Sequence, residues 1–224
     1  MKVKLINYTR NPERIVAQSA SLCYSSLDIN ELNNNLSDES VKKIIKKIMK
    51  LGHYSVLEHA SFTFAIEGIS RVTSHQLVRH RIASFSQQSQ RYVKIKAQGF
   101  SYVVPKSIVE NDKLKKAFYK ALNKIESTYN FFLEHNIAEE DARYILPQAV
   151  ETKIILTANA RELLHIFNLR CCNRAQWEIR ELANIMLEEV KSIAPNIFEN
   201  AGPICILKHC PEGELSCGNP WSKK

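Results

Sequence analysis

Glycine is scarce in this chain: six residues among 224, at positions 52, 68, 99, 202, 213 and 218. None completes a G-x-G-x-x-G or a G-x-x-x-x-G-K-[ST] pattern. A Rossmann fingerprint and a P-loop are both excluded, so any bound phosphate must be held largely by side chains. There is no H-E-x-x-H helix and no G-x-S-x-G elbow. His53 with His59 and His75 with His80 miss the usual metal-helix spacing. No apolar run is long enough to span a bilayer. MKVKLINYTR, at the start, lacks the apolar stretch of a signal peptide. No membrane partner is expected, and a cytoplasmic location is.

Six cysteines are present: Cys23, Cys171, Cys172, Cys205, Cys210 and Cys217. The tail CILKHCPEGELSC spaces its thiols C-x4-C and C-x6-C, without paired C-x2-C units. It reads as a surface tail with free thiols, and no metal is expected.

Charge is what the chain has in excess. It carries 31 Lys plus Arg against 23 Asp plus Glu, a net +8, which favours an anionic partner. The lysines gather in VKKIIKKIMK (41–50) and NDKLKKAFYKALNKIES (111–127), where apolar residues fall at helical spacing. They form the solvated faces of two helices. The arginines sit mostly where lysines are few, and a planar guanidinium fork suits phosphate or carboxylate.

KVKLINY (2–8) alternates as a strand does, and Pro12 opens a helix to about Cys23. Ser37 caps the lysine-rich helix and Gly52 ends it. Ser55 and Glu58 have capping-box spacing, so a short helix is expected from Ser55. SFTFAIEGI (61–69) is a strand, and Ser70 caps a helix over 71–81. A short strand over 100–104, a long helix over 111–135 and a helix over 138–146 follow. Residues 151–158 are a strand or a helix, since periodicity does not decide. Helices are expected over 159–170 and 175–193, making a mixed α and β chain with helix in excess.

Two constellations bear chemistry. In SHQLVRHRIASFSQQSQRY, Gln76 with Arg79 and Gln76 with His80 have same-face helical spacing. Arg81 closes that helix, and Ser84, Ser86, Gln87, Gln88, Ser89 and Arg91 follow in a polar loop that could wrap a polyanionic ligand. A basic helix end with a solvated loop explains the same residues. In NARELLHIFNLRCCNRAQWEIR, Asn159 is a cap and Arg161 and His165 share a face. Arg170 ends the helix, and Arg174 with Glu178 form an i,i+4 pair. A capped amphipathic helix pair accounts for this segment too. Arg143, in DARYILP, precedes a helix break.

Arg79-His80-Arg81, then Ser89-Gln90-Arg91-Tyr92, resembles the signature of the flavin-dependent thymidylate synthases. GHYSVLEHA, DARYILP, N-x-R-x-x-x-H and NLR…AQWEIR follow the family in order, over residues of about 3 to about 205. The resemblance implies an α+β fold, the thymidylate synthase-complementing fold. It implies a single mixed domain over 1–224 with an antiparallel-type sheet and long helices, and 206–224 is expected as a peripheral tail. It implies methylation of dUMP to dTMP, with methylenetetrahydrofolate giving the carbon and NADPH giving electrons through FAD. No cysteine nucleophile is needed, and none sits in a convincing nucleophile setting.

By the same resemblance, Ser55, Arg79, His80, Arg81, Gln87, Asn159, Arg161 and His165 hold FAD. Gln76, Arg79, Gln87, Ser89, Arg91, Arg143 and Arg170 line the dUMP site, and Arg170 polarises the uracil ring. Ser86-Gln87 departs from the commoner Asn-Glu, so Gln87 keeps a hydrogen-bonding carbonyl without the charge. A homotetramer with sites at subunit interfaces is implied. A nucleic-acid module would prefer exposed aromatics among the basic residues. Aromatics make up 8 % here and fall in apolar stripes, so no nucleic-acid partner is expected.

Overall fold

The computed structural model describes residues 1–26, 28, 30–31, 36–92, 100–207 and 209–221. The 206–224 tail is thus described except for Lys208 and residues 222–224. The fold is a mixed α+β one, with a four-stranded antiparallel sheet and several long helices. The strands are β1 (Lys2–Tyr8), β2 (Ser61–Ser70), β3 (Ser84–Gln87) and β4 (Glu151–Asn159), in the order β1-β2-β4-β3. Main helices are α1 (Pro12–Leu22), α2 (Asp38–Leu51), α3 (Arg71–Leu77), α4 (Asp112–Glu134), α5 (Ala160–Arg170) and α6 (Trp177–Ile193). No helix among the described residues is long and apolar enough to cross a membrane.

Two compact units share the chain. The first comprises Met1–Lys2, Ile66–Leu77 and Ser86–Ile154, and the second Val3–Ala65, Val78–Phe85 and Ile155–Lys224. The second unit buries Val16, Ile45, Leu57, Phe62, Phe64, Leu163, Phe167 and Leu182. Phe198 packs edge-on against Phe62 and Phe167, with centroids 5.6 and 6.0 Å apart. In the first unit Ile66, Ile69, Leu77, Leu122 and Tyr129 are buried, and Phe100 meets Tyr129 edge-on at 5.3 Å.

Local signals explain most boundaries. The Ser37 hydroxyl accepts from Ser40 N, and Gly52 ends α2 at φ 75°, where a Cβ would be strained. Ser70 Oγ accepts from Thr73 N at the start of α3. Asn111 and Gln176 likewise cap α4 and α6.

Several expectations are corrected. Residues Tyr54–His59 form a 3₁₀ helix in which Ser55 makes no capping box, because Glu58 turns to Arg161 instead. α3 stops at Leu77, so Arg79, His80 and Arg81 lie beyond it and Gln76 shares no helix face with them. Ser84–Gln87 pairs as β3 where a loop was expected. Residues 100–104 make one isolated bridge, Tyr102 to Val150, and no strand. The helix expected over 138–146 is one α-helical turn, Glu139–Ala142, followed by a 3₁₀ turn, Arg143–Ile145. Arg174 pairs with Glu212 of the tail, not with Glu178, which is buried.

Candidate active site

The second unit gathers the residues of two distant sequence blocks. His80 is 4 % exposed. Arg170 Nε donates to His80 Nε2 at 3.0 Å, and His80 Nδ1 faces Glu162 Oε1 at 3.5 Å. His165 lies against His80, with ring centroids 5.6 Å apart. Burial, then the Arg170 charge, then His165 bring the His80 pKa down to about 4. The ring is therefore neutral near pH 7, and its contact with Glu162 is not an ion pair. Burial raises the Glu162 carboxyl and lowers the Arg170 guanidinium from their ordinary values.

α5 supplies this geometry. Asn159 Oδ1 accepts from Glu162 N at 2.9 Å and fixes the first turn. From there Glu162, Ile166 and Arg170 fall on one stripe, four residues apart. Arg161 and His165 fall on another and are exposed, sharing a face as the spacing predicts.

Ser55 and Arg161 line one cavity of about 480 Å³ together with Tyr24, Ile48, His53 and Tyr54. Arg161 Nη1 donates to Glu58 Oε1 at 2.5 Å, and both side chains are about half exposed. An exposed pair of this kind contributes roughly 0–1 kcal/mol, so an anionic ligand can compete for the guanidinium. Arg79 and Arg81 are exposed. His80, by contrast, turns both ring nitrogens to residues of its own chain.

The first unit holds a second group. Arg91 reaches Glu140 Oε2 through Nε (2.9 Å) and Nη2 (2.7 Å), and its guanidinium lies 5.4 Å from the Tyr92 ring centroid. Arg143 Nε donates to the Glu140 carbonyl at 3.1 Å. Burial and then the Arg143 charge lower the pKa of Arg71. Arg71 and Arg143 are thus like charges within electrostatic reach, a disposition that an anion relieves. Gln87 Nε2 donates to Ser74 Oγ (2.9 Å) and Thr152 Oγ1 (3.1 Å). Ser89 Oγ accepts from Arg91 N, and Gln76 Nε2 reaches Val72 O within its own helix.

The model of the thymidylate synthase complementing proteins matches residues 4–196. The chain belongs to the flavin-dependent thymidylate synthase family. It is 56 % identical over 218 residues to the flavin-dependent thymidylate synthase of Geobacter sulfurreducens, covering 97 % of this chain and 94 % of that one. The Clostridium tetani relative of the same name is 49 % identical over 240 residues, covering 100 % and 96 %. That of Pyrococcus horikoshii is 49 % identical over 222 residues, covering 96 % and 91 %.

Arg71, Glu140 and Glu162 carry no signal of their own in the sequence patterns, and Glu58 stands out there only as a capping-box residue. Glu162 is marked only by its place, a charge on the stripe that Ile166 continues, beside buried Leu163. Arg71 has no such mark, since its relation to Arg143 spans seventy-two positions of chain.

Proposed function

We propose that this protein methylates dUMP to dTMP, using methylenetetrahydrofolate as one-carbon donor and NADPH as reductant, with FAD bound. The observation that carries this reading is the meeting of the family's distant motifs: His80 with Arg170 and His165, ninety and eighty-five positions away.

The residues present fit FAD. Ser55, Arg161 and tyrosines line a cavity within the ordinary size range of ligand pockets, and Arg79 and Arg81 are exposed cations for a diphosphate. His165 and Asn159 belong to the same proposed set, and Gln87 contributes a contact through its amide. When bound, the flavin supplies the redox chemistry that amino-acid side chains lack. Arg71, Arg91, Arg143 and Ser89 take the substrate phosphate, with Gln76 beside them, and Glu140 is the counter-ion displaced. Arg170 meets the uracil edge as a fixed cation and stabilises the electron-rich ring that attacks the one-carbon unit. A homotetramer lets these sets come from different copies of the chain. Cys171, next to Arg170, is buried, and burial first and Glu188 second push its thiol up to about 12 against Lys191. It stays a thiol at neutral pH and is a poor nucleophile.

Purified protein supplied with dUMP, methylenetetrahydrofolate and NADPH is the test, with UMP run in parallel. A yellow protein forming dTMP from dUMP is expected. Methylation of UMP in preference to dUMP, or a colourless protein that binds random oligonucleotides, would replace this reading.

A further inference from the structure

We propose that His80 is a positioning residue, whose Nδ1–H tautomer, turned toward Glu162, anchors Arg170 through Nε and fixes the plane of its guanidinium. This rests on the reading that Arg170 addresses the uracil ring.

Arginine has only donors, so the ring nitrogen 3.0 Å from Arg170 Nε must be the acceptor. Nε2 therefore carries no proton. In a neutral ring the proton then sits on Nδ1, the nitrogen that faces the Glu162 carboxyl. The three groups run in order from acid to imidazole to guanidinium. A carboxyl at Nδ1–H makes Nε2 a better acceptor, and the acceptor holds the cation.

Packing alone does not call for this arrangement. Arg170 is only half-buried and sits in the last turn of α5, where a cation is already favourable with its head in water. It is instead drawn onto a buried imidazole, and burial disfavours its charge. Glu162 and His80 are themselves almost wholly enclosed, with side chains 7 % and 3 % exposed. A cation held at such expense, by a chain of buried polar groups, matches how sites preorganise a charge. Glu162 and Arg170 stand at the two ends of one face of α5, so the helix fixes their separation and His80 spans it. An Nε anchor also removes rotation about the last side-chain bonds, which leaves the guanidinium one plane to present.

The test joins a spectroscopic reading to a double-mutant cycle. Nitrogen-15 spectra of histidine-labelled, flavin-loaded protein at neutral pH should show His80 with Nδ1 protonated and Nε2 bare. His80→Leu should lose about 10²-fold in dTMP formation per bound flavin, the scale of a misplaced reacting group. His80→Gln, which restores an acceptor near the Nε2 position, should recover most of that loss. In an Arg170→Lys background, His80→Leu should add little further loss, because both changes remove one interaction. An Nε2–H tautomer, a protonated ring at neutral pH, or losses that multiply in the double variant would overturn the proposal. If the wild type forms no dTMP, the proposed reaction falls, while the tautomer still decides the His80 arrangement alone.

Discussion

Protonating His80 would set an Nε2 proton against the Arg170 Nε–H, so acid should act on the fold through this ring. In the unfolded chain the imidazole takes its proton near 6.5, and in the fold near 4. The folded state binds fewer protons in that window. The stability His80 contributes is full above about 6.5 and is lost as pH falls toward 4. Glu162, raised by burial, has the opposite sign, because it takes its proton earlier in the fold than out of it. His165 and Arg170 complete the charged surroundings. Thermal unfolding of wild type and His80→Gln across this range isolates the ring. The gap between the two should narrow on acidification, and a gap independent of pH would count against a buried neutral imidazole. Arg170→Lys is the companion change. It satisfies the helix end nearly as well, yet an ammonium cannot reproduce the planar fork. Fold and flavin content should survive while dTMP formation falls by about 10²–10³, and near-normal turnover would return Arg170 to a helix-end cation.

α5 is where local and tertiary demands coincide. Asn159→Ala removes the cap on Glu162 N and should lower stability by about 0.5–2 kcal/mol. Asn159→Asp keeps the acceptor and should retain most of it, as read by chemical denaturation. Equal losses in both would show that Asn159 acts in some way other than capping. This helix was legible from its cap, its apolar stripe and its terminal arginine. So were β2, whose Phe62, Phe64 and Ile66 point inward, and α2, framed by Ser37 and Gly52. The helix over 71–81 was not, because nothing local marks a stop at Leu77; burial of His80 beyond it is a tertiary event. β3 was hidden for a related reason. Ser84-Phe85-Ser86-Gln87 has little apolar alternation, and the segment runs alongside β4, with Gln88 N bonded to Lys153 O at 2.9 Å. The carboxyl partners Glu58, Glu140 and Glu162 lie dozens of positions or more from Arg161, Arg91 and His80 respectively. Charge composition carries no record of such pairings.

Four copies of the chain are expected in solution, and light scattering should return four times the chain mass; a monomer fully active in dTMP formation would show that one chain completes the site unaided. Two contacts of the tail reach the segment between α5 and α6. Glu212 pairs with Arg174, and Asn219 O accepts from Asn173 Nδ2, both at the surface. What distinguishes the proposed reaction from one that uses a cysteine nucleophile is the source of electrons. A methylene at the oxidation level of formaldehyde needs two electrons to become a methyl. With NADPH as reductant the folate leaves as tetrahydrofolate; with folate itself as reductant it leaves as dihydrofolate. Chromatography of the folate products, with NADP+ and dTMP counted in the same reaction, separates the two. Tetrahydrofolate with NADP+ rising in step with dTMP is the predicted result, and dihydrofolate formed in step with dTMP would contradict it.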